Sequence, residues 1–275
     1  MVIGEKLGAE LFHDYLMRFG FHEKTGIDLP GEAVGIMYSA DKIGPVELAT
    51  MAFGQSLTIT PLQLVTAAAT VINGGYRVTP HIGMRLLDAN GYVTQEFAPP
   101  VGEQILPTEV SDSMRFVLES VVSVGTGQRT YIAGYRVGAK TATSQKLPRG
   151  SGRYISSIMA FAPADEPAVV ALVLVDEPKG AYYGGQVTGP IMQILLENVL
   201  PYLGVTPIYV TEAEQDGAPV IVPDIRGMEK KEALRILEES ELEHDITGSG
   251  DSILDQFPIP GEVVNRGERI LLRVK

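Results

Sequence analysis

A chain of 275 residues, 45% hydrophobic and 20% charged, has the composition of one large globular domain or of one domain with a small module. Its formal charge of −12 argues against nucleic acid as a partner, because phosphate binding needs clustered lysine and arginine. The absence of cysteine excludes disulfides, thiolate chemistry and cysteine-held zinc.

Leu7, Leu11, Phe12, Tyr15, Leu16 and Phe19 recur at helical spacing and predict a helix over 5–19 that Gly20 ends. The segment 26–45, rich in Gly, Pro and Asp, reads as a loop. Thr60-Pro61-Leu62-Gln63 predicts a helix start. Thr60 can cap it, Pro61 suits the first turn, and Gln63 completes a capping box. That helix should stop at Asn73-Gly74-Gly75. Asn90-Gly91, between Met84-Arg85-Leu86-Leu87 and Tyr92-Val93-Thr94, predicts a hairpin. Thr108 reads as the cap of a helix with Val110, Met114, Val117, Leu118 and Val121 on its inner face. Strands are predicted at 136–146, 155–162 and 168–176, separated by turn residues, which points to an antiparallel meander. Thr188-Gly189-Pro190 then opens a helix expected to turn Ile191, Ile194, Leu195 and Val199 inward.

The polar, acidic stretch 206–218 reads as a linker between a domain at 1–205 and a second at 219–275. The second unit opens with a strand, Val220-Ile221-Val222. A helix carrying Ala233, Leu234 and Leu237 follows, then strands near 243–246 and 269–274. The acidic residues of 238–245 read as a solvated helix end. No membrane span is expected, since the most apolar run, 168–175, is far below the ~20 residues a spanning helix needs. The first residues lack a signal-peptide pattern and begin inside an amphipathic one, so the chain is expected to be a piece of a longer protein.

His13, His22, His81 and His244 are scattered without metal-binding spacing, so neither a metal nor a cofactor is expected. Gly125-Thr126-Gly127 follows a helix rather than a strand, which weighs against a phosphate-binding loop. Chemistry concentrates in Val137-Gly138-Ala139-Lys140-Thr141-Ala142-Thr143-Ser144, a strand-like run with a cation and hydroxyls suited to holding a carboxylate. Around it stand Phe53-Gly54-Gln55, Val124-Gly125-Thr126-Gly127, Gly134-Tyr135-Arg136, Phe161-Ala162-Pro163 and Tyr182-Tyr183-Gly184-Gly185. Taken in that order, residues from about 4 to 204 resemble the transpeptidase domain of class B penicillin-binding proteins, nearest to the sporulation-type branch. Val222-Pro223-Asp224-Ile225-Arg226-Gly227-Met228, with Pro260-Gly261-Glu262 and the strand at 269–274, resembles a PASTA module.

The resemblance implies an α/β architecture: an incomplete serine β-lactamase/D,D-peptidase-like fold, with much of a five-stranded antiparallel sheet and flanking helices, plus a small α/β PASTA module. It implies a peptidoglycan D,D-transpeptidase that crosslinks stem peptides ending in D-Ala-D-Ala through a serine acyl-enzyme and is inhibited by β-lactams. The parent protein would act at the extracytoplasmic face of the bacterial cell membrane. By the same resemblance, Lys140 supplies charge, Thr141 and Thr143 supply hydroxyls to the donor carboxylate, and the Thr143 amide faces the oxyanion. Ala142 stands where the family carries glycine. It reads as a small-for-small change, the alternative being altered donor or β-lactam acceptance.

Ser39-Ala40-Asp41-Lys42 spells the family's Ser-x-x-Lys, but it lies in a loop, and no Ser-x-Asn occurs in the chain. The chain is therefore expected to hold the C-terminal part of the domain and not to acylate alone. The other reading is a non-enzymatic module that binds the cell wall or a division partner through PASTA and the transpeptidase remnant.

Overall fold

A computed structural model describes residues 1–97, 102–148, 150–207, 220–248, 250–258 and 260–274. The chain divides into two compact units, Met1–Ile208 and Tyr209–Lys275. The linker expected at 206–218 lies, from 208 on, outside the described residues.

Two helices, α1 (Val2–Leu7) and α2 (Ala9–Arg18), replace the single helix expected over 5–19. Gly8 between them sits at φ 77°, ψ 162°, a conformation that glycine adopts without steric cost and that breaks the helical path. The segment after α2 is loop, as expected, with one tight turn at Ala40–Lys42 and a bridge from Ile36 to Thr58. A short helix not anticipated from the sequence, α3 (Pro45–Met51), buries Leu48 and Met51 against Ile43, Phe12 and Leu16.

Helix α4 (Pro61–Ile72) begins with the predicted reciprocal capping box of Thr60 and Gln63. Gln63 does more than cap. It is 2% exposed, its Oε1 accepts from the Thr60 and Gly35 amides, and its Nε2 donates to the Phe21 and Glu23 carbonyls. One side chain thus satisfies four backbone groups from three segments. The predicted hairpin follows as β1 (Arg85–Leu87) and β2 (Val93–Glu96). Helix α5 (Thr108–Ser123) has Pro107, not Thr108, at its N-cap. From α5, Ser111 Oγ and Arg115 Nη1 donate to the last carbonyls of α4, at Val71 and Ile72. Those bonds fix the rotation of α5, so Ser111, Leu118 and Val122 face inward. Val110, Met114 and Val117, expected inside, are exposed.

The sheet of this unit is the expected meander: β3 (Gly138–Gln145), β4 (Tyr154–Ala162) and β5 (Val169–Asp176), in the order β3-β4-β5. Three antiparallel strands are present among the described residues, much of the five-stranded sheet expected. After a short turn of helix, α6 (Gly184–Val187), helix α7 (Gly189–Tyr202) lies on the sheet. Its Met192, Leu196 and Leu200 are fully buried against Ala139, Ile158 and Ala160, each contributing about 1.5–3 kcal/mol. The expected inward face is corrected, since Ile191, Ile194 and Leu195 are exposed. Both rows of α7 are apolar, and the bulk of the sheet selects the Met192 row. Phe161 of β4 is fully buried with its ring directly over Gly138, where even a methyl group would overlap it.

In the second unit, β6 (Val220–Ile221) leads to α8 (Lys230–Glu239) and then β7 (Glu243–Thr247), β8 (Ile253–Phe257), β9 (Val263–Val264) and β10 (Arg269–Val274). Strand β10 is central, parallel to β7 and antiparallel to β8, while β6 pairs with β9. Ile225, Ala233, Leu237, Ile270 and Leu272 form the core. Glu243 and Asp245 are strand residues that pair with Arg269 at 3.1 and 3.3 Å, which corrects their reading as a helix end. Arg226 grips Asp224 through two hydrogen bonds of 2.8 Å and holds its carboxyl down at about 2.

Two outcomes follow. Gly138→Ala should destabilise the first unit by about 1–3 kcal/mol through overpacking against Phe161, read by denaturant unfolding. In the second unit, an NMR titration should place Asp224 at about 2, and Arg226→Ala should return it toward 3.8. Because the folded value lies below the unfolded one, the stabilisation is present above about 3.8 and is lost as pH falls toward about 2.

Candidate functional site: the free edge of β3

Strand β3 pairs with β4 on one side and with no strand on the other among the described residues. The register sets which backbone groups face that open edge. Lys140 lies opposite Met159, Ala142 opposite Ser157 and Ser144 opposite Ile155. The Lys146 amide donates to the Arg153 carbonyl at 2.9 Å, which makes that pair a hydrogen-bonded one. Counting back with a period of two, Ser144, Ala142 and Lys140 also turn their amides toward β4. The N–H and C=O groups of Thr141 and Thr143 therefore point to the open edge. Side chains alternate as well: Lys140 and Ala142 lie on one face, and Ala139, Thr141 and Thr143 on the other.

Lys140 is exposed, and its Nζ folds back 2.8 Å onto the outward carbonyl of Thr141. The Thr141 hydroxyl lies 2.7 Å from that of Thr126, in the loop between α5 and β3. Thr143 Oγ1 accepts from the Gly184 amide at 3.0 Å. Ala142 is exposed, and its backbone is ordinary extended strand, so conformation alone does not require glycine there. All four residues singled out from the sequence thus lie together on one accessible strand. That strand carries a cation, two hydroxyls and two outward amides, a donor set suited to a carboxylate or an oxyanion.

The segment 182–185 presses against the same strand. A Cβ at Gly184 would overlap the Ala142 carbonyl and come within 2.5 Å of the Ser157 carbonyl; one at Gly185 would overlap the Thr126 carbonyl. Only glycine permits this approach. Ser156 Oγ donates to the Tyr182 carbonyl and ties the segment to β4. Tyr154 and Tyr182 stack with centroids 4.3 Å apart, and Tyr183 lies tilted by 35° against Tyr182 at 4.5 Å, beside the Thr143 end of the strand. The Tyr182 phenol is held above its ordinary value, chiefly by its hydrogen bond to the Tyr183 hydroxyl. Beyond them, Lys146 bridges Asp176 and Glu177 at 2.9 and 2.8 Å, and those carboxylates raise its ammonium above its usual range, Glu177 foremost.

Ser39 is exposed at the start of a single tight turn rather than of a buried helix. Among the described residues no cluster of three or more acidic or histidine side chains could hold a metal ion, and no helix is long and apolar enough to cross a membrane. The sequence reading did not single out Tyr154 and Ser156, because nothing in their spacing betrays the contact with 182–185. Gly184→Ala should break the Thr143–Gly184 hydrogen bond and destabilise the first unit by about 1–3 kcal/mol. Faster hydrogen exchange at residue 184 with a lowered unfolding midpoint would be the readout.

The sequence profile of the penicillin binding protein transpeptidase domain matches residues 1–197, and that of the PASTA domain matches residues 220–275. Stage V sporulation protein D of Bacillus subtilis is 40% identical over 277 residues, an alignment that takes in 98% of this chain and 43% of that protein. The peptidoglycan D,D-transpeptidase FtsI of Escherichia coli is 31% identical over 210 residues, 74% of this chain and 34% of that protein. Penicillin binding protein 3 of Mycobacterium tuberculosis, solved in complex with ampicillin, superposes with a TM-score of 0.68 at 26% identity and covers 76% of this chain and 49% of that one. The chain thus spans less than half the length of these relatives. It belongs to the penicillin binding protein transpeptidase domain family and carries a PASTA domain after that domain.

Proposed function

We propose that the free edge of β3 is the donor-recognition wall of a peptidoglycan D,D-transpeptidase. The observation that carries this reading is that one accessible strand presents Lys140, whose Nζ reaches the outward Thr141 carbonyl, together with the Thr141 and Thr143 hydroxyls and the outward Thr143 amide. A stem peptide ending in D-Ala-D-Ala, or a β-lactam mimicking it, presents a terminal carboxylate beside the carbonyl under attack. Lys140 and the two hydroxyls would hold that carboxylate, and the Thr143 amide would face the oxygen that becomes negative in the tetrahedral intermediate. The tyrosine stack would flank the remainder of the donor. Ala142 places a methyl on the Lys140 face without disturbing the strand, which supports reading it as a tolerated replacement for glycine.

The acylating serine is not among these 275 residues on this reading, because the one Ser-x-x-Lys sits in an exposed turn and no Ser-x-Asn exists. The polypeptide that supplies the serine would act outside the cytoplasm, where cell-wall substrate is found. The PASTA match favours one further role, a contact with peptidoglycan through residues 220–275. Retention of the chain on purified peptidoglycan no better than that of its residues 1–205 would count against that role.

Fluorescent penicillin tests the main reading. The isolated chain should take no covalent label, and stoichiometric labelling would contradict the assignment of the nucleophile elsewhere. In a longer protein carrying these residues behind Ser-x-x-Lys and Ser-x-Asn, Lys140→Ala should slow acylation by about 10- to 100-fold, the size of one lost charge-assisted hydrogen bond. An unchanged rate would contradict the donor site.

A further inference from the structure

A carboxylate only accepts hydrogen bonds, so a hydroxyl that binds it must spend its single proton on it. Each threonine of the β3 edge is arranged for this. Thr143 Oγ1 already accepts from the Gly184 amide, which leaves its own proton to donate. Thr141 Oγ1 has its partner in the Thr126 hydroxyl at 2.7 Å, and in that pair either oxygen can be the donor. If Thr126 donates, the Thr141 proton turns toward the open edge. If Thr141 donates, it is turned away.

We propose that Thr126 is a positioning residue for Thr141, giving it a hydrogen bond that orients and polarises its hydroxyl toward a bound carboxylate. This rests on the donor-site reading above. The chain Thr126 O–H, Thr141 O–H, carboxylate runs in one direction, and each bond in such a chain strengthens the next. The loop that carries Thr126 is held for the task on both sides. The Gly127 amide donates to the Val121 carbonyl at 2.8 Å, and Gly125 packs so closely on Val121 that a Cβ would lie 2.9 Å from its Cα. On the other side Gly185 packs against the Thr126 carbonyl, with the Thr141 methyl 3.3 Å from where its Cβ would be. Thr126 is itself exposed, so its hydroxyl is not required to fill the core. Its contribution is local and directional: without it, Thr141 keeps its oxygen but loses the neighbour that selects its rotamer and frees its proton.

The test uses the full 275-residue chain, labelled for NMR, with Thr126→Val (the same shape without the hydroxyl) and Thr126→Ser (the hydroxyl retained). The signals of first-unit core residues such as Ala139, Ile158 and Met192 serve as an internal control for folding. Two quantities are read: the side-chain three-bond couplings of Thr141, and the affinity for N-acetyl-D-alanyl-D-alanine followed at the Thr141 and Thr143 amides. The proposal expects one Thr141 rotamer in the unaltered chain and in Thr126→Ser, and averaging among rotamers in Thr126→Val. It also expects about tenfold weaker dipeptide binding in Thr126→Val alone, the loss of one net hydrogen bond. If the dipeptide binds the unaltered chain and Thr126→Val equally well, or if Thr126→Ser fails to restore both quantities, the proposal is overturned while the donor site stands. If the dipeptide leaves Thr141 and Thr143 of the unaltered chain unmoved, the donor-site reading falls and takes the proposal with it.

Discussion

The antiparallel pairing of β3 with β4, with the other side of β3 left open, is the constraint on which the rest of the first unit depends. The side-chain and backbone periods of two leave no freedom once the register is set. With Lys140 opposite Met159, the amides of Thr141 and Thr143 must face outward and Ala139 must face the core. A slip of one residue would send the Lys140 ammonium toward the fully buried Ile158 and Ala160 and turn the threonine amides inward. Register is held by the Phe161 ring lying over Gly138, by Met192, Leu196 and Leu200 packed on Ala139 and Ile158, and by Lys146 clasping the end of β5.

Close backbone approach then builds the site on that strand. Gly184 and Gly185 let a second segment lie directly against Ala142 and Thr126, and this contact delivers the Gly184 amide to Thr143. The same segment runs on into α7, whose buried face forms the core beneath the strand. The Thr188 hydroxyl donates to the Gly184 carbonyl at 2.7 Å and joins the two helical turns. The strand edge and the core therefore share a few residues, and on the proposed reading a change at Gly184 is felt in both stability and recognition.

Much of this was readable from the residues in order, because its signals are local. Thr60-Pro61-Leu62-Gln63 is a capping box in the sequence and in the fold, and Asn90-Gly91 turns the hairpin. The three-strand meander followed from apolar runs broken by turn residues. What was hidden depends on distant partners. The rotation of α5 is set by Ser111 and Arg115 reaching the end of α4, about 40 residues earlier, so its apolar stripe misleads. On α7 two apolar rows compete, and only the sheet chooses between them. Strand β8 escaped notice because one of its buried positions, besides Ile253, holds the polar Gln256, which accepts from the Ile225 amide and donates to the Pro223 carbonyl at 2.8 Å each. The four residues at 140–143 were legible as a group through their neighbours. The outward amides of Thr141 and Thr143, and the contacts of the Thr126 and Ser156 hydroxyls with Thr141 and Tyr182, needed the register and the folded chain.

The central claim is that the β3 edge recognises the carboxylate of an acyl donor. Its most direct test is a nitrogen-15 chemical-shift titration of the chain with N-acetyl-D-alanyl-D-alanine and, separately, with its C-terminal amide. The account predicts that the acid shifts the Thr141 and Thr143 amides, that Lys140→Ala removes the shift, and that the amide form leaves them in place. Equal shifts with acid and amide, or shifts confined to residues away from β3, would contradict it.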